Sequence, residues 1–134
     1  MKAKAVLVSV ISSVILSLSI GAYAADKPAS YKKGKKLYKA HCVACHQAKG
    51  QGIPGAFPPL AGSDYLMADK SRAINIPLKG LSGAITVNGQ NYNSTMPSFA
   101  HLQDQDVAAL MTYVMNAWGN EAAEITAEEV QALR

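Results

Sequence analysis

The stretch Cys42-Val43-Ala44-Cys45-His46 constrains this chain more than any other feature. It holds both of the chain's cysteines, and its spacing admits three chemistries. A structural zinc site needs four ligands, usually as two pairs. No second cysteine pair exists, and His41 and His101 do not form a second half. A thioredoxin-like Cys-x-x-Cys follows a strand in a βαβ pattern, whereas the pattern upstream of Cys42 is helical. The third chemistry is covalent attachment of a c-type haem. Two thiols at this spacing reach the two vinyl groups on one porphyrin edge, and the next residue then brings an imidazole beneath the ring. The rest of the chain favours this third reading.

A chain of 134 residues supports one domain with a modest core. Its first residues stand apart from that domain. Lys2 and Lys4 precede an uncharged apolar run from Ala5 to Ala22, and Ala22-Tyr23-Ala24 forms a small-x-small site. These are the three regions of a secretory signal peptide, which places residues 1–24 outside the folded domain and leaves 25–134 as the mature protein. An uncleaved anchor is the alternative, because the apolar run is nearly long enough to span a bilayer. Export is consistent with haem attachment, which takes place outside the cytoplasm, and the expected location is the periplasm. Loss of Lys2 and Lys4 lowers the net charge from +4 to +2, too little to make nucleic acid a default partner. After cleavage no membrane segment is expected, and the protein is expected to be a monomer.

The remaining charge is uneven. Lys32, Lys33, Lys35, Lys36 and Lys39 crowd the first segment, while Asp104, Asp106, Glu121, Glu124, Glu128 and Glu129 lie in the last third. Two solvated helix faces account for this first; a dipole that orients encounters with an acidic partner is the functional alternative.

Residues 29–41 read as a lysine-faced helix entering the cysteine motif, and 47–62 as a Gly- and Pro-rich loop. Residues 63–79 read as helix in one or two pieces, with Asp69 as cap, Gly80 as stop and Pro77 kinking or ending it. The Asn88-Gly89 pair predicts a small hairpin or loop over 85–93. Val107, Leu110, Met111, Val114, Met115 and Trp118 fall at helical spacing, ended by Gly119. Thr126 and Glu129 form a capping box for a short last helix. The expected fold class is all-α.

A haem bound by histidine alone is open and reactive; one bound by His and Met is closed and suited to electron transfer. The methionines of the domain are Met67, Met96, Met111 and Met115. Met111 and Met115 belong to the apolar stripe of the last large helix and Met67 to a short apolar run, all consistent with core packing. Met96 sits in a loop and is followed by Pro97, which makes it the candidate second ligand beside His46. His101 is its rival.

These segments together resemble the class I c-type cytochromes. Gly34 and Tyr38, ahead of Cys42, stand where the family's first helix crosses its last, and Leu110 and Tyr113 match the partner positions. Pro58 and Leu60 in "FPPLAG" match the family's proline and leucine after the haem histidine, and Met96-Pro97 matches its distal ligand pair. The resemblance implies a class I cytochrome c fold around one covalent haem c, held by Cys42 and Cys45. It implies that the Pro58 carbonyl orients His46, that Leu60 packs on the haem, and that His46 and Met96 bind its iron. "CHQAKGQGIPGAFPPLAGSDYL" and "GLSGAITVNGQNYNSTMP" are similar to small cytochromes that accompany copper nitrite reductases, and to cytochrome domains of membrane-bound alcohol and aldehyde dehydrogenases. The implied role is a non-enzymatic electron carrier in nitrite respiration or a related chain.

Asn88, Tyr92 and Asn93 are candidates to hydrogen-bond the haem propionates, although Asn88 before Gly89 also fits turn chemistry. Ile53, Pro54, Ala56 and Phe57 form either an apolar collar around the exposed haem edge or ordinary loop packing. Two other functions compete with the carrier. One is a haem subunit fixed in a larger oxidoreductase. The other is a peroxidase or gas-binding protein, should Met96 leave the iron open.

Overall fold

In the computed structural model, residues 27–134 are described; the expected signal peptide, 1–24, lies outside them. Helix α1 (Ala29–His41) follows Pro28 and carries Lys39 and His41 in its last turn, where positive charge suits the helix dipole. Its inner face buries Gly34 and Tyr38. That face crosses α5 (Asp104–Val114) so closely that a Cβ on Gly34 would lie 1.9 Å from the Ala109 carbonyl oxygen and 2.7 Å from Tyr113 Cβ. Only glycine permits this approach. Helix α5 is buried continuously from Val107 to Val114, because α1, α4 and α6 all pack on it.

The cysteine motif forms the short helix α2 (Val43–His46). After the loop, the 63–79 segment is two pieces. In α3 (Asp64–Met67) Ser63 accepts from the Leu66 amide, and in α4 (Lys70–Lys79) Asp69 accepts from the Arg72 amide. Each is an N-cap bond that satisfies an otherwise orphaned donor. Pro77 does not end α4, which runs on to Lys79 and stops at Gly80, φ 78°. Its last turn is held from outside: the Pro77 carbonyl accepts from the Phe99 amide at 2.7 Å.

Strands β1 (Ile85–Val87) and β2 (Gln90–Tyr92) form an antiparallel hairpin. Asn88 (φ 50°) and Gly89 (φ 77°) make its turn, as an Asn-Gly pair with two positive φ values does. The all-α expectation therefore holds with one hairpin added. Helix α6 (Ala127–Gln131) has the expected Thr126–Glu129 capping box.

Helix α5 differs from expectation at its end. It stops at Val114 rather than reaching Gly119, and Trp118 adopts φ 55° in a turn. Its ring leaves the helical stripe to pack against Tyr38 (centroids 5.0 Å apart) and Tyr113 (5.3 Å). It also covers Gly50, where a Cβ would come within 2.6 Å of the indole. Aromatic packing overrides the helical spacing here.

Candidate haem site

His46 is buried at the end of α2. Its Nδ1 lies 3.0 Å from the Pro58 carbonyl oxygen. A carbonyl only accepts, so Nδ1 carries the proton and Nε2 is left with a free lone pair. Burial lowers the pKa of His46, opposed by the Pro58 bond, which favours the neutral ligand form. The loop is shaped to make that bond. The Gly52 amide donates to the His46 carbonyl at 3.0 Å, and the Leu60 and Ala61 amides both donate to the Gly50 carbonyl. Gly52, at φ 64°, lies so near Pro58 that a Cβ would meet its carbonyl carbon at 2.7 Å.

Behind His46 lies an apolar pocket lined by Cys42, His46, Pro58, Leu60 and Met96. Leu110, Met111 and Val114 of α5 and Ala73, Ile76 and Pro77 of α4 complete its walls. A second pocket shares His46, Pro58 and Met96 with the first and adds Cys45, Phe57 and Tyr92. The two cysteines, His46 and Met96 thus line two adjoining pockets with shared walls. No disulfide joins the two cysteines. Among the described residues no group of three or more His, Cys, Asp or Glu side chains could hold a metal ion, so the zinc alternative lacks a ligand set.

Met96 reaches the cavity from a short antiparallel bridge with Leu81, made by a 2.8 Å and a 3.0 Å backbone bond. It lines both spaces, whereas Met111 lines only the first, from within α5. Met67 packs against the core and Met115 is buried. His101, the rival ligand, is exposed and lines neither space. Its ring lies 6.4 Å from that of His41, and both flank Phe99.

The three polar candidates separate. Tyr92 is buried and lines the second space. Asn88 and Asn93 are exposed and line neither. The Asn88 side chain accepts from the Asp64 amide at 3.0 Å, and its own amide donates to the Asp64 carboxylate at 2.8 Å, so it ties the hairpin to α3. Ile53 and Phe57 close a tight bridged loop, and Ile53 is 38% exposed.

Several supporting residues carry no motif. Asn120 is buried and donates to the Leu60 and Val114 carbonyls while accepting from the Gly62 amide, all at 2.9 Å. It fastens the loop behind His46 to the end of α5. Ser94 donates to the Ala56 carbonyl, joining the Met96 loop to the loop after His46. Arg72 stacks 4.0 Å over Tyr65, which lines the first cavity. Only a contact made across the fold marks these residues, so composition and spacing pass them over.

The cytochrome c family profile matches residues 31–118, a span containing both cysteines, His46, Met96 and the α1–α5 crossing. The chain belongs to the cytochrome c family. The cytochrome is 46% identical over 110 residues to cytochrome c-552 of Thermus thermophilus, covering 75% of this chain and 83% of that one. It is 32% identical over 88 residues to cytochrome c6 of Cyanidium caldarium, covering 66% and 72%. It is also 32% identical over 105 residues to the cytochrome c subunit of a quinone alcohol dehydrogenase from Gluconobacter oxydans, where the match covers 75% of this chain but 22% of the relative. This cytochrome carries covalent haem c at its Cys-x-x-Cys-His motif, has the class I fold, and is an electron carrier rather than an enzyme. No helix among the described residues is long and apolar enough to cross a membrane.

Proposed function

We propose that the protein is a periplasmic one-electron carrier whose haem iron is bound by His46 and Met96. The observation that carries this reading is the shared cavity: His46, with Nδ1 committed to Pro58, and Met96 line the same two adjoining spaces. When bound, haem c supplies a one-electron Fe(III)/Fe(II) couple. His46 offers Nε2 in a fixed orientation because Pro58 holds the other nitrogen. Met96 offers a soft thioether that raises the potential and closes the second face. Apolar walls from α4 and α5 keep water out of the pocket. Thioether bonds through Cys42 and Cys45 retain the group permanently.

For the propionates, Tyr92 is the candidate that lines a cofactor space, whereas Asn88 is already bonded to Asp64. Residues 1–24 direct export. The partner is a respiratory oxidoreductase. Likeness to a quinone alcohol dehydrogenase subunit supports the dehydrogenase class, while none of the relatives named above is a nitrite-reductase cytochrome. Lys32, Lys35, Lys36 and Lys39 are exposed on α1 and would draw in an acidic partner. Ile53 is the single exposed large apolar side chain among the described residues. That favours a shuttle over a permanently fixed subunit, which would present a larger apolar patch.

The absorption spectrum of the ferric, haem-loaded protein tests the ligation. A weak far-red band of sulfur-ligated low-spin iron is expected, and it should vanish in Met96→Ala. A parent spectrum without that band means that Met96 does not bind the iron, and the open-site alternative replaces this one.

A further inference from the structure

The Met96 strap is anchored to the end of a helix, and one side chain makes the outermost anchor. The last four carbonyls of any α-helix lack partners within the helix. In α4 the strap supplies some of them. The Ile76 carbonyl is capped by the Gly80 amide at 2.7 Å. The Pro77 carbonyl accepts from the Phe99 amide at 2.7 Å, and the Leu78 carbonyl accepts from the Ser98 hydroxyl at 2.6 Å. The same Ser98 oxygen accepts from the Ala100 amide at 3.1 Å, so the strap is folded around it. Between these anchors and Met96 lies the Leu81–Met96 bridge. Gly80 lets the two segments close, since a Cβ there would meet the Met96 carbonyl oxygen at 2.8 Å and the Ser98 amide nitrogen at 3.2 Å.

We propose that Ser98 is a positioning residue for Met96: by occupying the Leu78 carbonyl, its hydroxyl holds the strap on the end of α4 and governs how often Met96 leaves the cavity. Ser98 touches neither cofactor space, so it acts through the backbone it fastens. The inference rests on Met96 being the second iron ligand. Its consequence is kinetic. A small external ligand reaches the iron only while the strap is open, so the exchange rate reports the opening equilibrium.

The experiment mixes the ferric, haem-loaded protein with excess cyanide and follows the decay of the far-red band in the parent, Ser98→Ala, Ser98→Thr and Asn116→Ala. Loss of one hydrogen bond that leaves a carbonyl without its partner predicts roughly five- to tenfold faster exchange in Ser98→Ala. The threonine variant keeps the hydroxyl and should exchange close to the parent rate. Asn116→Ala removes the side chain that accepts from the Ala122 amide and donates to the Thr112 carbonyl, with no bond to the strap, so it should lower the overall denaturation midpoint without speeding exchange. Hydrogen exchange at the Leu81 and Met96 amides should quicken in Ser98→Ala alone. A parent with the band and a Ser98→Ala variant at the parent rate overturns the positioning role, as does equal acceleration by Asn116→Ala. A parent that lacks the band overturns the ligation and the positioning role together.

Discussion

Cys42 and Cys45 share a motif but not an environment. Cys42 is buried and Cys45 half-buried. Burial, followed by the neighbouring Cys45, pushes the Cys42 thiol up to about 11. With haem in place each cysteine contributes one bond. Replacing Cys45 with Ala should leave haem attached through Cys42 alone, and the reduced pyridine haemochrome band should move to the red position of a single-thioether haem. An unshifted band would mean that Cys45 takes no part in attachment. At this scale the lining of the site was largely legible. The candidate ligand His46 follows from adjacency to the cysteines, and the candidate Met96 from its place in a loop before Pro97. The residues that hold those candidates in place were not. Asn120 joins Leu60 across a sequence separation of 60, and nothing local distinguishes it from any other loop asparagine.

Among the elements, the α1–α5 crossing carries the most packing. Tyr38 and Tyr113 lie 5.5 Å apart between the two helices, and Tyr31 meets Tyr113 edge-on at 4.9 Å. Gly34 sets their separation. Gly34→Ala should force the helices apart and cost about 3 kcal/mol, the upper end for overpacking. Urea denaturation of the haem-loaded protein measures it, and a cost near zero would mean that the crossing yields without strain. The start of α1, the caps at Asp69 and Thr126 and the hairpin turn were all readable, because each depends on a few adjacent residues. The end of α5 was not. Met115 and Trp118 continue the helical spacing, and only the aromatic pocket over Gly50 shows why the chain turns away. Pro77 misled for a related reason. Its effect on α4 depends on Phe99, which closes the helix end from another part of the chain.

At the scale of the whole fold, three ion pairs among the described residues join segments far apart in sequence: Lys33 with Asp106, Lys70 with Glu129, and Arg134 with Asp104. The Lys70 bond, followed by the Thr126 amide, holds Glu129 below its ordinary value of 4.5. A carboxylate with a depressed folded pKa stabilises the fold above its unfolded value, and that contribution is lost as pH falls through the folded value. The pair is about 40% exposed on each side, so the contribution is small. Glu129→Gln keeps a side-chain acceptor for the capping box and removes the charge. Its urea midpoint should fall slightly below the parent's near neutral pH, and the gap should narrow as the pH falls below the ordinary carboxylate range. A constant gap would mean that shape rather than charge carries the effect. Trp118 gives the molecule a built-in optical gauge. It is the single tryptophan of the chain, wedged beside Tyr38, whose hydroxyl donates to the carbonyl of Gln47, the residue after His46. In the haem-loaded protein its emission is expected to be quenched by energy transfer to the porphyrin. The thioethers keep the porphyrin on the chain after unfolding, so returning fluorescence measures the distance that opens between Trp118 and the haem, never the loss of the haem itself.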